Sequence, residues 1–171
     1  MKIGLEIDGV LGDVCLAAVN SFGCPDLDSA YSMEEMFATI PDEVLDDWKT
    51  RDTTYLHMPI VRGAIEGLNA LTKTHSIYII TSRPAYASGV TAKWLRDNKF
   101  AVKSALHVAD KSLRAEQLEL DVFIDSVPET INDLSGKTSG YLFSQPFNIH
   151  RAVRGKRVAD WDDILARLKY E

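Results

Sequence analysis

The chain has 171 residues, of which 46% are hydrophobic and 26% charged, and its net charge is −6. That length suits one domain with room for a small insertion, burying roughly two-thirds of the unfolded surface. The acidic balance excludes a non-specific binder of nucleic-acid polymers or anionic membranes, but not a small anionic substrate, because a bound cation and a few local donors reverse the sign inside a pocket. No apolar run approaches the roughly 18 residues of a membrane span. Glu6 and Asp8 interrupt the place where a secretory h-region would lie, so a cytoplasmic location is expected. Cys15 and Cys24, the two cysteines, are too few for a disulfide framework and have no paired metal-ligand spacing, so they read as reduced thiols in or near the core.

The first strand runs over Ile3 to Ile7. About seventy residues separate it from the next strand, far more than a βα crossover needs. Part of that stretch is acidic, with short helical signals at Ser32 to Phe37 and Pro41 to Lys49, so residues 13–59 are expected to form a small helical cap able to act as a lid. Val61 to Leu71 has helical apolar spacing, Ser76 to Ile80 is the clearest second strand, and Ala87 to Leu95 is again helical. Ala105 to Val108 and Asp121 to Ile124 give two more strands. Pro128 starts a helix toward Leu134, and Gly140 to Phe143 gives a fifth strand. Asp160 caps a terminal helix carrying Trp161, Ile164, Leu165 and Leu168 on one side. Continuous apolar runs separated by helices predict an α/β fold. It is a Rossmann-like parallel sheet of about five strands, built from residues 1–12 and 60–171, with the cap inserted after strand one.

Chemistry-bearing residues fall where these strands end. Glu6 and Asp8 are two carboxylates spaced i, i+2 at the top of a buried strand, a crowding that a divalent cation commonly relieves. Gly9 lets the backbone turn sharply and approach a ligand. Strand two ends in Thr81-Ser82-Arg83-Pro84, whose hydroxyls and free N–H groups suit a phosphate oxygen. Lys111 follows strand three, where an ammonium neutralises phosphate charge, and Asp125 with Ser126 ends strand four. In open α/β sheets ligands bind outside these carboxyl ends, at the topological switch point.

Together these residues resemble the haloacid dehalogenase-type phosphohydrolase superfamily, and within it the 5′(3′)-deoxyribonucleotidase-like family. The family pattern Asp-x-Asp-Gly-Val-Leu-x-Asp corresponds to Glu6 through Asp13. Thr-x-Arg-Pro falls on Thr81, Arg83 and Pro84, the family lysine on Lys111, and Ile-Asp-Asp-x-Pro on Ile124 to Pro128. The closing segments Leu142 to Asn148 and Val158 to Ile164 are also similar, so the resemblance spans nearly the whole chain, the cap being matched by position and helical character alone. It implies Mg²⁺, a strand-one carboxylate attacking phosphorus, and an acid/base two residues on. The cation would be held by the first carboxylate, the second residue's main-chain carbonyl and a strand-four acid. Carried onto this chain, Glu6, Asp8 and Lys111 are catalytic; Thr81, Ser82 and Lys111 bind phosphate; and Glu6, Asp8, Asp125 and Ser126 are the metal candidates.

Two residues depart from the pattern. Glu6 stands where the family has aspartate, placing its carboxylate roughly 1.5 Å further out, and a misplacement near 1 Å can cost about 10²-fold in rate. Ser126 stands where the family has a second acid, and a neutral hydroxyl weakens a hard-cation site. The residues leave open whether position 125 or 126 coordinates. The expected function is therefore a Mg²⁺-dependent phosphomonoesterase, of full or reduced activity, acting on a small phosphorylated metabolite, most plausibly a (deoxy)nucleoside monophosphate. The alternative is a degenerate relative that binds phosphate or nucleotide without turnover. A homodimer is left open.

Other signals carry less. Gly136-Lys137-Thr138 lacks the first glycine of a phosphate loop, since position 131 is Ile131. His57, His75, His107 and His150 have no metal-ligand spacing and read as surface or structural groups. Arg151, Arg154, Lys156 and Arg157 read as a solvated loop. Tyr31, Phe37, Trp48 and Tyr55 could stack on a base, with core packing the commoner use.

Overall fold

The computed structural model describes residues 1–23 and 32–169. Cys24 and Tyr31 lie outside the described residues. Among the described residues, six strands form one all-parallel sheet in the order β3-β2-β1-β4-β5-β6, with β1 Lys2–Leu5, β2 Ser76–Thr81, β3 Leu106–His107, β4 Val122–Asp125, β5 Ser139–Phe143 and β6 Lys156–Val158. The chain steps outward from β1 through β2 to β3, then returns to the other side of β1 for β4. The switch point therefore lies between β1 and β4, where Leu5 pairs with Ile124.

Both faces of the sheet are covered, which is why the strands read as continuous apolar runs. Ile3, Leu5, Ile79, Val122, Ile124, Tyr141 and Phe143 belong to the larger core cluster, while Ile80 and Phe123 point to the opposite face with Ala115 and Leu120. Gly4 has no room for a side chain, because a Cβ would meet Phe123 and Leu120.

The covering helices are α1 Val14–Phe22, α2 Met33–Met36, α3 Asp42–Thr50, α4 Asp52–Leu56, α5 Ala64–Leu71, α6 Ser88–Asp97, α7 Lys111–Gln117, α8 Pro128–Asn132 and α9 Trp161–Leu168. As the sequence suggests, Asp160 caps α9, accepting from the Asp163 N–H at 2.8 Å, and Pro128 occupies the first turn of α8. Trp161 packs so closely on α5 that a Cβ at Gly67 would collide with its ring, and its indole N–H donates to the Val10 carbonyl at 2.9 Å.

Helices α1 to α4 fall between β1 and β2, and α1 and α4 are additional to the two helical signals read there. Gly12 pairs antiparallel with Ile60, and the Asp13 N–H donates to the Pro59 carbonyl at 2.7 Å. The two ends of the stretch thus lie side by side.

The sixth strand corrects the sequence reading of the basic cluster. Lys156 and Arg157 lie in an edge strand, and Arg157 is half-buried, donating to Asn148 Oδ1 at 2.9 Å and to the Arg151 carbonyl at 2.8 Å. An edge strand with one buried residue, Val158, carries little apolar signal.

Candidate active site

β1 stops at Leu5, two residues earlier than the apolar run suggests. The Glu6 N–H still bonds the Ile124 carbonyl at 3.0 Å, and the chain then winds into a tight loop in which the N–H groups of Leu11 and Gly12 both donate to the Ile7 carbonyl. Gly9 sits at φ 86°, and a Cβ there would lie 2.7 Å from that of Ser126, so this turn admits only glycine. Gln145 braces the loop by donating to the Gly9 carbonyl at 2.8 Å. Asn148 holds the β4 end by donating to the Ser126 carbonyl, also at 2.8 Å.

Glu6, Lys111 and Asp125 meet beneath this loop. Lys111 opens α7, whose N-cap is Asp110, yet it is 7% exposed and its ammonium turns inward. Its Nζ donates to Glu6 Oε2 at 2.6 Å and lies 2.7 Å from Asp125 Oδ2. Burial lowers the Lys111 ammonium pKa, but the two carboxylates overcome this and hold it above its ordinary value. Burial also keeps the Asp125 carboxyl above the usual carboxylate range, with Lys111 opposing that shift and Glu6 adding to it. Glu6 is 2% exposed, and its Oε1 accepts from the N–H of Ile7 at 2.8 Å, so the longer side chain curls back onto its own backbone.

Asp8 is held separately. Arg83 donates through Nε to Asp8 Oδ2 at 3.0 Å and through Nη2 to Asp8 Oδ1 at 2.5 Å. The guanidinium is itself buried, lying 4.4 Å from the Tyr55 ring centroid on α4 and 5.7 Å from that of Trp94. Burial lowers the Arg83 pKa, and the Asp8 charge outweighs this and raises it. The sequence reading that the two carboxylates crowd one another is thus corrected. Each carboxylate has a cationic partner from the protein, and the two do not share one.

A cleft of about 500 Å³ lies above, between the strand ends and helices α2, α3 and α4. Of the predicted site residues, Asp8, Ser82 and Ser126 line it, while Glu6, Lys111, Asp125 and Thr81 are buried and do not. Thr81 is fully buried and its hydroxyl accepts from the Arg83 N–H at 3.2 Å, serving the turn rather than an open phosphate site. Trp48 and Tyr55 line the cleft, with Trp48 also packed edge-on against Phe22. Phe37 is buried in the core cluster.

Arg83, although part of the quoted motif, had no role assigned from sequence. Its signal was its place two residues past the end of β2, the edge where the acids collect. His107 is structural, its Nδ1 bridging the carbonyls of Arg83 and Pro84 at 3.0 and 3.1 Å.

The oxygens at these strand ends are of the kind a hard divalent cation takes, but most already have a partner in the protein. Asp125 Oδ2 is fully buried, and its contact with Lys111 is an ion pair that leaves the oxygen without an aligned hydrogen-bond donor. The Asp8 main-chain carbonyl and the Glu6 carboxylate are the other oxygens such a cation would have to use. Among the described residues no three His, Cys, Asp or Glu side chains form a ready cage, so such a site would rest on few protein ligands. Ser126 is the position-126 group at the cleft, and its hydroxyl donates to the Asp8 carbonyl at 3.0 Å.

A family model for 5′ nucleotidase, deoxy (pyrimidine), cytosolic type C proteins matches residues 1–169. The chain belongs to this family. Its fold is that of the haloacid dehalogenase-like hydrolases among solved structures. A conserved haloacid dehalogenase-like protein of unknown function from Agrobacterium tumefaciens has a TM-score of 0.67 at 16% identity, over 98% of this chain and 97% of that one. A HAD family hydrolase from Deinococcus radiodurans, with bound phosphate and sodium, has a TM-score of 0.61 at 14% identity, over 98% and 94%. A haloacid dehalogenase-like hydrolase from Burkholderia xenovorans gives 0.61 at 13%, over 96% and 94%. No curated protein sequence matches. Family membership places the chain among nucleotidase-type hydrolases, and no helix among the described residues is long and apolar enough to cross a membrane.

Proposed function

We propose that the chain is a Mg²⁺-dependent phosphomonoesterase acting on a small phosphorylated metabolite of the nucleoside monophosphate class. The observation that carries this reading is the buried Glu6–Lys111–Asp125 cluster at the strand ends whose neighbours Asp8, Ser82 and Ser126 line a cleft. A cleft of about 500 Å³ lies within the size range of small-molecule sites.

In this reading Lys111 neutralises phosphate charge and orients Glu6, and Ser82 holds a phosphate oxygen at the cleft floor. Glu6 attacks phosphorus after its Oε1 leaves the Ile7 amide and turns toward the cleft. Asp8, held in one orientation by Arg83, exchanges the proton with the leaving oxygen and then with water. Mg²⁺, held by Glu6, the Asp8 carbonyl and Asp125, would supply charge neutralisation at the phosphoryl oxygens.

The test is phosphate release from a panel of nucleoside monophosphates. Native protein should release it, chelation should abolish release, and Glu6→Gln should reduce it at least about 10³-fold, as expected for loss of a nucleophile. Release unaffected by Glu6→Gln would overturn the assignment.

A second reading, binding without turnover, is favoured by the burial of Glu6 and the engagement of both its oxygens. It predicts an inert native protein whose melting temperature rises with ligand, and turnover appearing in Glu6→Asp combined with Ser126→Asp.

A further inference from the structure

We infer that His107, on the edge strand β3, is a positioning residue for Asp8: it fixes the turn that carries Arg83, and through Arg83 it sets the direction of the Asp8 carboxylate. The role given to Asp8 rests on the phosphomonoesterase reading, whereas the contacts stand without it.

The chain of contacts begins where β2 ends. Thr81 pairs with His107 across the sheet, and the Val108 N–H donates to the Thr81 carbonyl at 2.9 Å. Two residues on, the chain has left the sheet, and Pro84 has no N–H with which to tie the turn down. His107 supplies a donor there. Its Nδ1 lies 3.0 Å from the Arg83 carbonyl and 3.1 Å from that of Pro84. Carbonyl oxygens only accept, so the ring hydrogen belongs on Nδ1. The other ring nitrogen, Nε2, is buried and has no partner among the described residues, so a hydrogen placed there would go unsatisfied. Both nitrogens select the same tautomer.

Arg83 carries the constraint to Asp8. Its backbone is pinned at both ends, by His107 at the carbonyl and by Thr81 Oγ1, which accepts from its N–H at 3.2 Å. Its guanidinium reaches Asp8 through Nε and Nη2, and its Nη1 donates to Thr91 Oγ1 at 3.4 Å. Among the described residues, the hydrogen bonds to the Asp8 carboxylate all come from Arg83. That carboxylate is part-exposed at the cleft, while the guanidinium is buried. A packed interior transmits strain, so a shift of the Arg83 backbone passes to the guanidinium and on to Asp8. For an acid/base group the direction matters, since a misplacement near 1 Å can cost about 10²-fold in rate.

Kinetics of the native chain and of His107→Leu, His107→Asn and His107→Gln test this, read on whichever of a panel of nucleoside monophosphates the native chain hydrolyses fastest. His107→Leu leaves both carbonyls without their donor. Its kcat should fall about tenfold or more with KM little changed, as for a contact that acts in the transition state rather than in binding. His107→Asn puts an amide N–H near the Nδ1 position and should recover most of the loss. His107→Gln puts its amide near Nε2 and should not, although it fills the space better. Equal recovery by Gln and Asn, or native kcat in His107→Leu, would overturn positioning and leave His107 a packing residue. Proton–nitrogen NMR gives a readout independent of turnover. The native chain should show the His107 hydrogen on Nδ1 and a slowly exchanging Arg83 Nε–H, lost in His107→Leu and kept in His107→Asn. A hydrogen on Nε2, or an Arg83 signal that His107→Leu leaves unmoved, would also overturn the inference. A native chain that releases no phosphate would instead overturn the phosphomonoesterase reading, and the NMR comparison then decides whether His107 fixes Arg83. Should His107→Leu fail to fold, the native tautomer and the comparison of His107→Asn with His107→Gln decide.

Discussion

At the residue scale, the site is an arrangement of buried charges that stand only because each has a partner. Lys111→Met leaves Glu6 and Asp125 facing each other in a dry environment, and breaking a buried pair in this way costs about 3–5 kcal/mol. Urea denaturation should show that loss at neutral pH. Cys15 gives a second prediction. Burial pushes its thiol from 9.0 up to about 12. The unfolded chain therefore releases this proton at lower pH than the folded chain does, and stability falls as pH rises from about 9 toward 12. Tyr55, also pushed up to about 12 by burial and then by Asp8, acts in the same direction. Cys15→Ala should flatten the decline of the urea midpoint over that interval, and an unchanged slope would show that the thiol is not the group titrating. The same burial makes Cys15 a poor thiolate at neutral pH, so slow reaction with thiol reagents is expected.

At the element scale, the coupling between α4 and the strand-two loop matters most. Tyr55 presents its ring to the guanidinium that holds Asp8, and a desolvated cation–π contact of this kind contributes about 1–2 kcal/mol. Tyr55→Leu should lower stability by about that amount and weaken phosphate binding, while Tyr55→Phe should change little; equal effects of the two would contradict the contact. What was legible at this scale follows from burial. β1, β2, β4 and β5 are covered on both faces and announce themselves as apolar runs, whereas β6 lies at an edge and carries Lys156 and Arg157. Helix α1 was missed because its cap, Asp13, reads equally well as the end of the acidic motif. Glu6, Asp8, Asp125 and Lys111 stand out as charges at the ends or just past apolar runs. The partner of Asp8 does not, because Arg83 reaches it across 75 residues of chain by a turn that sequence alone does not specify. The burial of Thr81 was equally hidden, since a hydroxyl at a strand end faces solvent or the turn with equal ease.

At the scale of the whole molecule, the switch point between β1 and β4 brings residues from four strand ends to one place, and helices α2, α3 and α4 wall the cleft above it. The family assignment agrees with this layout, and the strand ends come together with Glu6 and Ser126 at the two departing positions. The most direct test is a crystal structure of the native protein grown with Mg²⁺ and orthovanadate. It should place the oxyanion in the cleft against Ser82, with the Glu6 carboxylate released from the Ile7 amide and turned toward it. An oxyanion bound elsewhere, with Glu6 still curled onto its own backbone, would contradict the site.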